Sequence, residues 1–118
     1  MRMFEDVSEV YLHREPVDFR KSINGLSVLV ESEMALSPLS GALFVFCNKK
    51  RDKLKLLYWD QTGFAFWYKR LEQEKFNWPR RMDEPVIALC EAQLHWLLAG
   101  VDIAQLQPHA PLNYQTLL

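Results

Sequence analysis

The spacing of apolar positions changes period several times along the chain. Glu9-Val10-Tyr11-Leu12-His13 alternates, is rich in strand formers and is closed by Pro16, which predicts a first short strand over about residues 8–13. From there the period lengthens: Phe19, Ile23, Leu26, Leu29 and Val30 recur at steps of three and four. They form one stripe of an amphipathic helix, with Asp18 as its N-cap and an end near Met34. Gly25 inside it costs roughly 1 kcal/mol against alanine, which points to a close packing contact rather than a break. Residues 35–41, ALSPLSG, read as a loop. Leu43-Phe44-Val45-Phe46-Cys47 is continuously apolar, the pattern of a strand covered on both faces and so the expected sheet centre.

Lys53 to Trp59 and Phe64 to Arg70 follow as two strand-like runs around Asp60-Gln61-Thr62-Gly63. Asp first and Gly last suit a type I turn, which predicts a hairpin with a Gly bulge. That turn sets Trp59 opposite Ala65 and Leu57 opposite Trp67. Lys53, Lys55, Leu57, Trp59, Trp67 and Lys69 then share one face, and Leu54, Leu56, Tyr58, Phe66 and Tyr68 the other. Phe76-Asn77-Trp78 reads as a short edge strand stopped by Pro79. A last helix is expected over about Glu91 to Ala99, its stripe Leu94, Leu97 and Leu98, with Gly100 past its end and Cys90 as an unusual N-cap. Residues 103–118 read as an appended tail and residues 1–102 as one domain. The fold class expected is α+β: an antiparallel sheet of about four to five short strands, one helix after the first strand and one C-terminal helix.

Length and composition agree with that reading, since 118 residues at 49% hydrophobic and 25% charged suffice for one self-sufficient core. Charge changes the picture more. Residues 49–81 carry ten of the 14 basic side chains against four acids, a local net of +6, while the rest of the chain is −7. A net charge of −1 hides this asymmetry, and a local basic field favours polyanions or an acidic partner. The two cysteines lack CxxC spacing, which suggests neither a disulfide framework nor a zinc site and fits a reducing cytoplasm. MRMFEDVSEV lacks a signal-peptide layout and no apolar run approaches membrane-spanning length, so neither secretion nor a membrane is expected.

Lysines and arginines gain affinity for nucleic acid by releasing counterions from phosphates, and exposed Trp or Tyr rings stack on unpaired bases. The Asn48 to Asp52 loop and the face with Trp59 and Trp67 supply both. The competing reading is structural: sheet aromatics are commonly core, and hairpin lysines guard exposed strands from aggregation. Catalysis has less support. Asp60 sits where a turn already explains an Asp, and Glu72 in a solvated charge run. His13, His95 and His109 have no ligand spacing with one another or with the cysteines. No GxGxxG, P-loop or GxSxG occurs, so no cofactor is expected.

Three strings carry a family resemblance: Asp18-Phe19-Arg20-Lys21-Ser22-Ile23-Asn24-Gly25-Leu26, Ser40-Gly41-Ala42-Leu43-Phe44-Val45-Phe46, and Asp52-Lys53-Leu54-Lys55-Leu56-Leu57-Tyr58-Trp59-Asp60. Gly63-Phe64, Tyr68-Lys69-Arg70-Leu71-Glu72, Phe76-Asn77-Trp78-Pro79, Gln93-Leu94 and Leu97-Leu98-Ala99-Gly100-Val101-Asp102 continue it. In type and order these resemble the small accessory proteins (TnpB, the second reading frame) of the bacterial insertion sequence 66 transposons, over roughly residues 8–102. The chain departs from the family at Cys47, where Arg is common, near Lys50 or Arg51, where the family has a Gly, and at Cys90, usually Ser or Thr. The resemblance implies a role in moving a mobile element beside a separate, larger transposase that carries the strand-transfer carboxylates.

Residues and resemblance together predict a non-enzymatic accessory factor in DNA transposition. The expected nucleic-acid contacts are Arg20 and Lys21 at the first helix, Lys49, Lys50, Arg51, Lys53 and Lys55 in the hairpin region, and Lys69 with Arg70. Trp59 and Trp67 stack if exposed. The rival is a protein-protein adaptor in which Trp59, Trp67 and Trp78 anchor the transposase. A second copy of the chain is a further partner open at this point, because an aromatic face also suits a homo-oligomer.

Overall fold

The computed structural model describes residues 7, 9–73, 75, 76, 78 and 84–99. They form β1 (Val10–His13), α1 (Ile23–Ser32), β2 (Leu43–Cys47), β3 (Lys53–Trp59), β4 (Phe64–Arg70), β5 (Val86–Leu89) and α2 (Glu91–Ala99). The strands make one sheet in the order β4-β3-β2-β1-β5. The fold is α+β as expected, and mostly antiparallel. One pair is parallel: β1 and β2, with Val10 opposite Leu43, because α1 returns the chain to the same end of the sheet between them. The expected tail at 103–118 lies outside the described residues.

β2 is the middle strand and all five of its residues are buried. Phe44 and Phe46 join Leu57, Leu26, Val30 and Met34 in a cluster under α1. Leu43, Val45 and Cys47 join Leu54, Leu56, Leu94 and Leu97 in a second cluster under α2. A strand with a helix on each face has no solvent side, which is why its sequence shows no alternation. Burial also pushes the Cys47 thiol up to about 12, leaving it a packing group without nucleophilic character.

Three local expectations are corrected. α1 begins at Ile23 with Ser22 at the N-cap position, four residues past Asp18. Asp18 instead closes a turn in which its carboxylate accepts the Arg20 backbone N–H (2.9 Å) and its carbonyl accepts that of Lys21 (3.0 Å). Just ahead of the helix the Phe19 and Lys21 carbonyls accept the Lys55 ammonium. At the other end α1 stops at Ser32, two residues short of Met34; the Met34 N–H bonds back to the Leu29 carbonyl (3.2 Å), and the chain turns away at Ala35, φ 56, with the Leu36 N–H on the Val30 carbonyl (3.1 Å). Gly25 behaves as expected: a Cβ there would meet the Lys21 stem at 3.1 Å.

The β3–β4 strands have the expected bounds but not the expected register. Trp59 stands opposite Phe64, Leu57 opposite Phe66 and Leu56 opposite Trp67. The Asp60 N–H donates to the Gly63 carbonyl (2.7 Å), so the loop is the two residues Gln61-Thr62, without a bulge. Two-residue loops need a positive φ inside the loop, and Gln61 supplies it at φ 56, where the sequence pointed to Gly63. One residue of slip exchanges the faces of the whole strand. Trp67 and Lys69 therefore lie on the α2 side with Leu54 and Leu56, while Phe66, Tyr68 and Arg70 share the α1 side with Lys53, Lys55 and Trp59.

The expected edge strand at 76–78 is not one: Phe76 and Trp78 lie outside the strands, 1% and 6% exposed, in the cluster under α2. Asn77 lies outside the described residues. The fifth strand is β5, which pairs antiparallel with β1. Its four-residue apolar run carries no periodicity that separates a strand from a helix flank.

Cys90 caps α2 as a capping box with sulfur in the hydroxyl's place. The Cys90 N–H donates to Gln93 Oε1 (3.0 Å) and the Gln93 N–H to Cys90 Sγ (3.5 Å). Oxygen is the better acceptor, so Cys90→Ser should raise stability by about 0.5–1 kcal/mol. The check is the urea midpoint; an unchanged or lower midpoint would show that the thiol caps as well as a hydroxyl.

Candidate nucleic-acid interface

The β2–β3 turn is built around Asn48. Its amide oxygen accepts the Lys53 backbone N–H (3.0 Å) and its amide nitrogen donates to Asp52 (2.7 Å). That bond is the main reason the Asp52 carboxyl is held below its ordinary range, with Lys53 and Lys50 adding to it. Arg51 stands in the left-handed region at φ 61, pinned by its N–H to the Asn48 carbonyl (3.0 Å) and by the Phe76 N–H to its own carbonyl (2.7 Å). A glycine would adopt this conformation without cost. The turn thus presents Lys49 and Lys50 as exposed side chains and Arg51 as a half-buried one. None of the three makes a side-chain hydrogen bond or ion pair among the described residues, nor do Lys53 and Lys21.

Other expected contacts are already occupied. Lys55 is 8% exposed; its ammonium donates to the Phe19 and Lys21 carbonyls (2.7 and 2.8 Å) and lies 4.7 Å from the centre of the Phe19 ring. Burial pushes it below the usual lysine range. It is an internal strut rather than a phosphate contact. Lys69 donates to the Leu98 carbonyl at the end of α2 (3.1 Å), where a cation also suits the helix dipole. Arg70 pairs with Glu72 (2.8 Å) and Arg20 with Asp18 (2.6 Å), the latter pair holding the Asp18 carboxyl down to about 2. Both pairs are solvent-exposed and open readily to a competing phosphate.

The aromatic half of the site differs most from expectation. Trp67 packs against the cluster under α2, and Trp59 is half-buried with its ring edge-on to Phe64 (centroids 5.1 Å apart). α1 covers Phe44, Phe46 and Leu57 but leaves β4, the edge strand, uncovered: Phe66 and Tyr68 are 38% and 47% exposed. Those two rings, with Lys53 opposite Arg70 at the next position on the same face, form the accessible aromatic and basic surface. Period-2 alternation places Phe66, Tyr68 and Arg70 on one face, so only the pairing hid them. Arg14, outside the basic run, is another missed residue: with Lys49, Arg51 and Trp78 it lines a recess of about 220 Å³. Arg80 and Arg81 lie outside the described residues.

Asp60 and Glu72 stand at opposite ends of β4, roughly 20 Å apart at about 3.3 Å per strand residue, too far to hold one metal ion. Among the described residues no three His, Cys, Asp or Glu side chains gather as metal ligands, and no helix is long and apolar enough to cross a membrane.

No solved structure matches the chain. Two proteins of Sinorhizobium fredii are similar to it: the uncharacterized protein y4jC, 39% identical over 88 residues (75% of this chain and 74% of that protein), and the uncharacterized protein y4hO, 34% identical over 93 residues (79% and 80%). The family of IS66 Orf2-like proteins matches residues 8–108. With the motif order of the sequence and a match over most of its length, the chain belongs to the IS66 Orf2-like family, whose role is that of an accessory protein in insertion-sequence transposition.

Proposed function

We propose that the protein is a non-enzymatic accessory factor that contacts nucleic acid, the ends of the element or strands exposed there, through the β2–β3 turn and the α1-side face of β4. The observation that supports this reading is the placing of two exposed rings on β4, Phe66 and Tyr68, near the β2–β3 turn with Lys49 and Lys50 and the first residue of β3, Lys53, cations that make no side-chain hydrogen bond or ion pair among the described residues. Phosphate contacts of this kind position a protein without reading bases, so the surface suits a strand or an end more than a base sequence.

Fluorescence anisotropy of labelled single strand and duplex tests it. Three to four phosphate contacts predict affinity falling about 100-fold between roughly 50 and 200 mM salt, and Lys49→Glu/Lys50→Glu should abolish binding at the upper end. The second reading is an adaptor for the transposase of the same element. It is favoured by the seven-residue edge of β4, whose outer backbone has no strand partner among the described residues and suits an added strand. A shallow salt dependence, with transposase retained by the Lys49→Glu/Lys50→Glu variant, would select the adaptor and sink direct nucleic-acid contact.

A further inference from the structure

The recess lined by Arg14, Glu15, Pro16, Lys49, Arg51 and Trp78 is formed where the segment after β1 meets the β2–β3 turn. Its walls are fixed independently. Trp78 donates its indole N–H to the Arg14 carbonyl (2.6 Å), the Arg14 guanidinium donates to the Glu84 carbonyl (2.9 Å), and Arg51 is pinned on both sides of its left-handed backbone. Positive φ in a bulky residue is uncommon and persists where the surroundings over-determine it, a feature that gathers at binding sites. The charge count is specific. Glu15 pairs with Arg14 (2.9 Å), and among the described residues Lys49 and Arg51 make no ion pair, which sets two cations on one small concavity.

We infer that this recess seats a phosphate monoester, the terminal phosphate of a nucleic-acid strand. Three features of the site argue for an end rather than an internal phosphate. A terminal monoester carries a charge near −2 at neutral pH, matching the pair Lys49 and Arg51, whereas a backbone diester carries −1. About 220 Å³ admits a phosphate and part of its sugar, while an internal phosphate, continued on both sides, needs an open groove. The recess also lies at the end of the hairpin where Lys53 and Arg70 pair, so a strand stacked on Phe66 and Tyr68 would run out towards it. The inference rests on the nucleic-acid reading above.

The experiment compares one short labelled strand bearing a 5′-phosphate, a 3′-phosphate or hydroxyls at both ends, with inorganic phosphate and a phosphoserine peptide as competitors. A charge-assisted contact in the recess predicts that one phosphorylated strand binds about tenfold tighter than the hydroxyl strand. Arg51→Gly, which the backbone accepts without strain, should bring that ratio to about one. Phe66→Ala/Tyr68→Ala should weaken all strands and keep the ratio. Strands that bind equally well whatever their ends, or a ratio kept in Arg51→Gly, overturn the recess assignment and leave the nucleic-acid surface standing. No binding of any strand overturns both. Capture of the phosphoserine peptide without any end effect on strands overturns the assignment in favour of a protein partner.

Discussion

Lys55→Met is expected to lower stability by about 3 kcal/mol, a fall of roughly 10 °C in midpoint for a chain of this size. The substitution keeps the stem and removes only the ammonium, so the packing loss is small. It leaves the Phe19 and Lys21 carbonyls without their donor, each worth about 1–3 kcal/mol when left unmade in a part-buried site. The opposing effect is real: an apolar isostere escapes the desolvation that already lowers the Lys55 pKa. Replacing a whole buried polar group set can therefore be neutral, but here only one side of each bond is removed. Breaking, not replacing, is the relevant case, and the loss should win. The segment leading into α1 should loosen with it, since those carbonyls tie it to β3. Lys53→Met, two residues earlier on the same face and with no side-chain partner among the described residues, is the control, expected within about 0.5 kcal/mol of the parent. Equal midpoints for the two variants would show that Lys55 is no strut.

Phe66→Ala/Tyr68→Ala is expected to weaken single-strand binding roughly 30-fold or more while leaving the thermal midpoint within a few degrees. Base stacking on an aromatic side chain is worth about 1–3 kcal/mol per base, and both rings are exposed on the edge strand outside the two core clusters, so what is lost with them is the Lys55 ammonium over Phe66 (5.4 Å) and the Phe19 ring against Tyr68 (6.4 Å). Duplex binding should fall much less, because paired bases are not free to stack. Trp67→Phe supplies the contrast: its ring packs under α2, so it should cost stability and leave strand affinity unchanged. Single-strand affinity that survives the double alanine change would remove stacking from the account and leave only the cations of the β2–β3 turn.

The two variants also mark how far the chain could be read unaided. The periods were legible because they reflect only which residues need burial: the step of three and four in α1, the unbroken run of β2, the alternating hairpin, and the stripe of α2. The bounds of β3, β4 and α2 agree with them. Charge was equally legible, since ten basic residues between 49 and 81 need no coordinates to be counted. The motifs carried the family, which the match over residues 8–108 establishes.

Pairing and partners were another matter. Trp67 and Tyr68 are adjacent, and which of them meets solvent turned on whether the hairpin loop holds an even or odd number of residues. That was decided by Gln61 adopting the left-handed conformation that Gly63 advertised. Lys53 and Lys55 are equivalent by pattern, yet one meets solvent and the other binds two carbonyls more than 30 residues away. The sequence by itself determined what kinds of elements form, that one hairpin is basic and aromatic, and the family, because these depend on local period and composition. Only the tertiary structure decided which rings and cations are left exposed, because register and the Arg14–Arg51 recess depend on hydrogen bonds between segments distant in the chain.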